Sequence, residues 1–402
     1  GYFETELYLT FPDKNLTVRN MADEGNTPGF RPHPGRKNEN HFAFPGAKEL
    51  LRPELRNSTK ANGTFETPDQ WLTRLGADTI IAFFGFNSSF EGPEGLERYK
   101  KELDAFIKHT LAQKYNGESA PQLALVSPTA IQDLSDTYKV PNGVETNKNL
   151  AAYTEASSEV AAENGIVFVD TFAPTKKWYA DGTPHTIDGA LLNDAGYKRL
   201  ALGLVYSIFG EKPANDTRRE AVHAAVKEKI WMWLNDYKIP NGVHVYGRRF
   251  KPHGPRNYPY ELTKTREQTD IRDQANWAAL AGQRFDVAAA DAKTSVLPEV
   301  QTNYKPSNKN GSPEYLPGEE VEEELETAAG YEIALFASEK EFPLLRNPVQ
   351  LSFDNKGRLW VATMASYPHY RVGDPLPADN LLILEDTNGD GKWDEGEPII
   401  AS

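Results

Sequence analysis

Three apolar runs of strand length constrain this chain most: residues 79–84 (TIIAFF), 122–127 (QLALVS) and 166–170 (IVFVD). Each is continuous rather than alternating, so each is predicted to be buried on both faces. The stretches 96–114, 147–164 and 193–209 carry apolar residues at helical spacing. Apolar strands separated by amphipathic helices predict a parallel sheet covered on both sides, an α/β sandwich. Residues 16–20 (LTVRN) read as a further short strand and residues 1–11 as a helix. In α/β folds ligands bind at the carboxyl ends of strands. A strand ahead of the opening helix, with any catalytic group at its tip, is therefore expected outside these residues.

The pattern changes twice. Residues 1–213 hold the α/β alternation. Residues 214–317 form a helical extension and linker, with one helix over 217–236 and another over 267–285. Between them lies GRRFKPHGPRNYP (247–259), whose Arg248, Arg249, Lys251 and Arg256 read either as an anion site or as a loop pinning an acidic domain. Residues 305–318, rich in Pro, Asn, Ser and Gly, read as the linker. The acidic run 319–326 reads as a solvated spacer. Residues 318–402 switch to short strands at 332–338, 349–353, 359–363 and 381–385, with a tight turn at 355–357. That spacing suits a propeller blade or a sandwich.

Composition excludes several functions. The formal net charge of −14 argues against a nucleic-acid partner or an anionic membrane surface, which need clustered Lys and Arg. With no cysteine, the chain has no disulfide, thiol nucleophile, thiolate-bound zinc or covalent c-type haem of its own. No run approaches the roughly 20 apolar residues of a transmembrane helix.

Three segments carry candidate chemistry. GFNSSF (85–90) ends an apolar strand in Gly85 and Asn87, a backbone N–H and a side-chain amide suited to a developing oxyanion. RNMADEG (19–25) ends another strand in Gly25, a source of a further N–H. DGALLNDAGYKRLA (188–201) places Asp188 just before a helix. In this order and spacing they resemble the SGNH (GDSL-like) hydrolases over roughly residues 1–210. Gly25 matches the second-block glycine, Gly85 and Asn87 the third-block pair, and Asp188 the aspartate of the final Asp-x-x-His block. The resemblance implies a three-layer sandwich, an oxyanion hole and acyl-ester or glycan-ester chemistry. It breaks at two places. The first block, with its nucleophilic serine, has no counterpart, and Leu191 stands where the catalytic histidine belongs. Leucine cannot accept a proton. His185 is the nearest alternative base, against its plainer reading as a loop histidine. The expectation is a degenerate hydrolase-fold module that binds or supports. The alternative is an active ester or O-acyl hydrolase whose nucleophile lies upstream of residue 1.

DTNGDGKWDEGE (386–397) has the spacing of a twelve-residue calcium loop. Asp386, Asn388, Asp390, Asp394 and Glu397 supply side-chain oxygens, Lys392 a carbonyl, and Gly391 the sharp turn. A strand precedes it, so a structural calcium loop between strands is expected rather than an EF-hand pair. Together with GYEIALFASEKEF and NPVQLSFDNKGRLWVATMASYPHY, the third region resembles the start of the propeller in large membrane-associated dehydrogenase-like proteins. Trp360 and the turn Tyr367–Tyr370 are placed either at a propeller mouth or in its packing. The resemblance implies an exported, periplasmic or cell-surface setting, redox or complex-forming protein partners, and c-type haem on a segment beyond these residues.

Overall fold

The computed structural model describes the chain except residues 24, 32–40, 57–65, 139, 213–214, 240–241, 248, 302–315, 317, 368–378, 395–398 and 401–402. It divides into two compact units, Gly1–Thr302 and Asn303–Ser402.

The first unit is α/β. Its principal elements are α1 (Tyr2–Thr10), α2 (Pro68–Leu75), β1 (Thr79–Phe83), α3 (Leu96–Leu111), β2 (Gln122–Val126), α4 (Val144–Glu163), β3 (Val167–Val169), α5 (Phe172–Trp178), α6 (Asp194–Phe209), α7 (Arg219–Tyr237) and α8 (Gly254–Leu280). The three strands pair in parallel in the order β1-β2-β3, with Ile81 opposite Ala124 and Ala124 opposite Val167. Alternate side chains serve the two faces. Leu123 and Leu125 pack with Tyr99, Leu103 and Ile107 of α3 and Tyr153 and Val160 of α4. Val126 and Val169 pack with Leu204 of α6, Ile81 and Phe3 of α1. These three layers bury the central strand β2 on both faces as expected, whereas the flanking strands β1 and β3 are less covered than their apolar runs predict, with Phe83 and Val167 each 46 % exposed.

Residues 16–20 depart from the strand expectation. They form no strand ladder, because helix side chains take their carbonyls instead. Trp277 Nε1 donates to Leu16 C=O at 2.9 Å, Lys229 Nζ to Val18 C=O at 2.7 Å, and Trp233 Nε1 to Asn20 C=O at 2.7 Å. Carbonyls two residues apart share one edge of an extended chain, so α7 and α8 sit where a neighbouring strand would. The other edge, carrying the amides of Thr17 and Arg19, has no backbone partner among the described residues. β1 is open in the same sense. Gln122 N–H donates to Asp78 C=O at 2.8 Å. Thr79, Ile81 and Phe83 therefore turn their amides away from β2.

The helical extension packs into this unit. Lys229, fully buried, lies 2.6 Å from Glu4 Oε1, and Arg19 bonds Asp273 of α8 through Nη1 at 2.9 Å. Desolvation works against both charges of the first pair, raising the Glu4 carboxyl and lowering the Lys229 ammonium. α8 starts earlier than expected and takes in residues 254–259 of the Pro-rich stretch. Pro255 is tolerated there because the first turn of a helix has no intrahelical N–H bond to lose. Arg249, Lys251 and Arg256 are exposed, and Arg248 lies outside the described residues.

In the second unit, α9 (Gly318–Glu324) covers most of the acidic run. β4 (Pro348–Phe353), β5 (Leu359–Thr363), β6 (Leu381–Leu384) and β7 (Ile399–Ile400) form an antiparallel meander in sequence order. Its core holds Phe342, Leu345, Val361, Leu382 and Leu384. Residues 332–338, expected as a strand, pair with no strand among the described residues. Phe336 packs beside this core and its C=O accepts Trp393 N–H at 3.0 Å. The β4–β5 turn is as expected, with Gly357 at φ +81°. The described residues thus give one small antiparallel sheet. Most of the expected linker and His369 and Tyr370 lie outside them.

Candidate functional site

The carboxyl ends of β1, β2 and β3 converge on one edge. β1 runs into Gly85, whose φ of +111° few side chains tolerate. A Cβ there would lie 3.1 Å from Pro128 Cδ and 3.2 Å from the Tyr99 hydroxyl oxygen. Glycine is thus required both by conformation and by the closeness of the segment leaving β2. A single helical turn, Phe86–Ser89, follows and carries Asn87. Asn87 Nδ2 donates to Asn26 C=O at 3.2 Å, a contact across 61 residues. The glycine segment of residues 19–25 and the Gly85–Asn87 turn therefore meet, with Gly25 (φ +79°) next to the bonded Asn26.

Asp188 stands in a separate turn. Its exposed carboxylate accepts Ala190 N–H at 2.9 Å and Leu191 N–H at 2.8 Å. These amides hold the carboxyl below its ordinary range, Leu191 first and then Ala190. The turn docks on the segment after β2: Gln132 N–H donates to Gly189 C=O at 2.8 Å. Leu191 is 53 % exposed, an apolar side chain where a base is expected. His185 is buried, flanked by Trp178 and Tyr179, with Nε2 3.5 Å from Arg199 Nη1. No hydrogen bond joins it to Asp188 among the described residues. Asn87 is bonded directly to Asn26, the neighbour of Gly25, whereas Asp188 and His185 are each tied to their own surroundings.

Sequence reasoning passed over the polar lining behind these residues. Ser127, at the end of β2, accepts Thr171 N–H at 2.8 Å through Oγ, and Thr171 Oγ1 donates to Ser127 C=O at 2.6 Å. Gln132 Oε1 accepts the N–H groups of His185 and Thr186 at 2.9 and 3.1 Å. Glu102 of α3 accepts Gly29 N–H at 2.6 Å and the Thr27 hydroxyl. A hydroxyl or carboxyl at a strand end or on a helix's inner face was the available signal. Nothing in the spacing separates such residues from ordinary core polar groups.

In the second unit, Asp386 accepts Gly389 N–H at 2.7 Å and Gly391 N–H at 2.9 Å. Asn388 accepts Asp390 N–H, and Asp390 accepts Lys392 N–H, both at 2.8 Å. Asp394 instead binds Thr387 and Asn388. Glu397 lies outside the described residues. No group of three or more acidic, histidine or cysteine side chains converges to hold a metal among the described residues. No helix among them is long and apolar enough to cross a membrane.

The family described as Domain of unknown function (DUF7133) matches residues 317–398. No curated protein matches the chain. Among solved structures, a lipase/acylhydrolase from Enterococcus faecalis is similar at 20 % identity over 35 % of this chain and 65 % of its own, with a TM-score of 0.25. An acetylxylan esterase from Geobacillus stearothermophilus is similar at 18 % identity over 36 % and 64 %, TM-score 0.28. An aryl esterase from M. smegmatis is similar at 15 % identity over 38 % and 76 %, TM-score 0.26. The chain spans 65 % of the length of the first of these, just under two thirds.

Proposed function

We propose that the first unit is an SGNH-type hydrolase-fold module that binds an acyl ester without turning it over. The observation that carries this reading is the Asn87–Asn26 contact, which brings Gly25 and the Asn87 amide together at the carboxyl edge of a parallel sheet. Two N–H donors there suit an ester carbonyl oxygen. Among the described residues no base accompanies them: Leu191 has no proton acceptor, Asp188 is engaged by its own turn, and His185 faces Arg199. An acetylated sugar is the ligand class to test first, since glycan-ester chemistry is among what the sequence resemblance implies. Calorimetric titration with an acetylated xylooligosaccharide is expected to show binding that Asn87→Ala weakens, and p-nitrophenyl acetate is expected to show no enzymatic turnover. No binding by the native protein would refute the reading.

A second reading, an active ester or O-acyl hydrolase, is favoured by the open edges of β1 and residues 16–20. An added strand seated there, whatever polypeptide supplies it, would end beside Gly25 and Gly85. Turnover abolished by Asn87→Ala would establish this second reading and overturn the first.

For the second unit we propose a structural calcium loop over residues 386–397. Amide bonds to Asp386, Asn388 and Asp390 leave oxygen lone pairs on each, and hard oxygen donors suit calcium. Gly391 takes the positive φ (+81°) that position six requires. Asp386, Asn388, Asp390, the Lys392 carbonyl and Asp394 would hold the ion. The meander is read as one blade of a propeller, on the resemblance of its sequence. On the same resemblance, we propose that the module belongs to a larger exported redox protein. Peptide mapping of the native polypeptide tests that setting: a haem-bearing Cys-x-x-Cys-His peptide supports it, and a full map without one refutes it.

A further inference from the structure

The Glu102 side chain is 5 % exposed and no motif draws attention to it. It sits on α3, which leads away from the Asn87 turn. Its Oε1 accepts Gly29 N–H at 2.6 Å and the hydroxyl of Thr27. Thr27 directly follows Asn26, whose C=O accepts the Asn87 amide at 3.2 Å. Residues 26–29 are therefore clamped twice, by Asn87 on one side and Glu102 on the other. A Cβ on Gly29 would lie 3.0 Å from Glu102 Oε1 and 3.1 Å from its Cγ, so glycine is what lets the carboxylate reach the backbone. The same carboxylate lines a cavity of about 10 Å³ shared with Thr27, Ser88, Tyr99 and Arg98, room for one water.

We propose that Glu102 is the positioning residue of the oxyanion-binding pair. By fixing residues 26–29 it sets where the Gly25 N–H and the Asn87 amide point. A carboxylate that accepts two donors from one short segment restrains it better than packing alone, because hydrogen bonds to a charged acceptor are short and strong. Burial raises the Glu102 carboxyl above its ordinary range, opposed by Thr27, Gly29 and the nearby Arg98. The other charged groups around the cavity are Arg52, Arg98 and Glu91, the last paired with Arg52 at 3.2 Å and with Arg98, and Tyr99 is the remaining titratable side chain. This assignment rests on the acyl-binding reading above.

The test combines two readouts on the whole chain. In amide-resolved NMR, the Gly25 N–H and Asn87 side-chain signals of the native protein are expected to follow the titration of Glu102, and to lose that titration in Glu102→Gln. In the acetylated xylooligosaccharide titration, Glu102→Ala is expected to weaken binding about tenfold or more, the loss of hydrogen bonds to a charged group. Glu102→Gln, which still accepts both donors, is expected to restore most of it. Thr27→Val removes one donor while leaving the carboxylate in place, and serves if Glu102→Ala does not fold. Gly25 and Asn87 signals that ignore both pH and these substitutions would overturn the assignment. Absent binding by the native protein, with the NMR response intact, would instead remove the acyl-binding reading and leave the positioning in place.

Discussion

Replacing Lys229 by methionine tests whether the helical extension is part of the first unit's structure. The ammonium is fully buried, 2.6 Å from Glu4 Oε1 and 2.7 Å from Val18 C=O. Methionine keeps much of the volume but leaves the Glu4 carboxylate, itself 4 % exposed, without its cation. Removing one partner of a buried pair costs about 3–5 kcal/mol, because the remaining charge stays desolvated. At roughly 2 °C per kcal/mol for a large domain, the melting temperature of the first unit is expected to fall by about 6–10 °C. Glu4→Leu with Lys229→Met removes both charges together, and is expected to recover most of the loss. Urea unfolding followed by the indole N–H signals of Trp233 and Trp277 reads the relevant region directly, since these donate to Asn20 and Leu16. A single-variant cost below about 1 kcal/mol, the worth of an exposed pair, would refute the reasoning. So would a double variant no more stable than the single one.

Three further outcomes are expected. Gly85→Ala, which meets both a positive φ and contacts with Pro128 and Tyr99, should cost about 2–4 kcal/mol in chemical denaturation and weaken ester binding; a neutral variant would show that the turn relaxes freely. Asp390→Ala should lower calcium affinity at least about tenfold by calorimetry, and chelation should increase protease cleavage of the second unit only in the native protein; cleavage indifferent to chelator would end the structural-calcium proposal. The Trp360 indole, then the Arg358 and Lys356 amides and the Arg358 side chain, hold the Asp354 carboxyl well below the usual range. A depressed folded pKa gives stability that is present above about pH 4 and lost as pH falls through the folded value. Asp354→Asn should therefore flatten the acid side of the second unit's stability profile, and an unchanged slope would show that other groups set it.

The amino-acid pattern determined the elements whose cause is local. Continuous apolar runs made β1, β2 and β3, because both faces of a covered parallel strand must be apolar, and helical spacing located α3, α4 and α6. Gly85 and Gly25 were legible as strand-ending glycines able to offer a backbone N–H, and their positive φ was added by the structure. Which groups meet was not local. The partners of residues 16–20 came from α7 and α8, more than two hundred residues away, as indole and ammonium donors that satisfy the same carbonyls a strand would. Residues 332–338 have strand composition, yet Phe336 C=O found the amide of Trp393 rather than a ladder. Glu102 looked like any helical acid until folding set it against Gly29. Backbone polarity must be satisfied wherever it is buried. A sequence shows how many donors and acceptors there are, and only tertiary structure decides which of them pair.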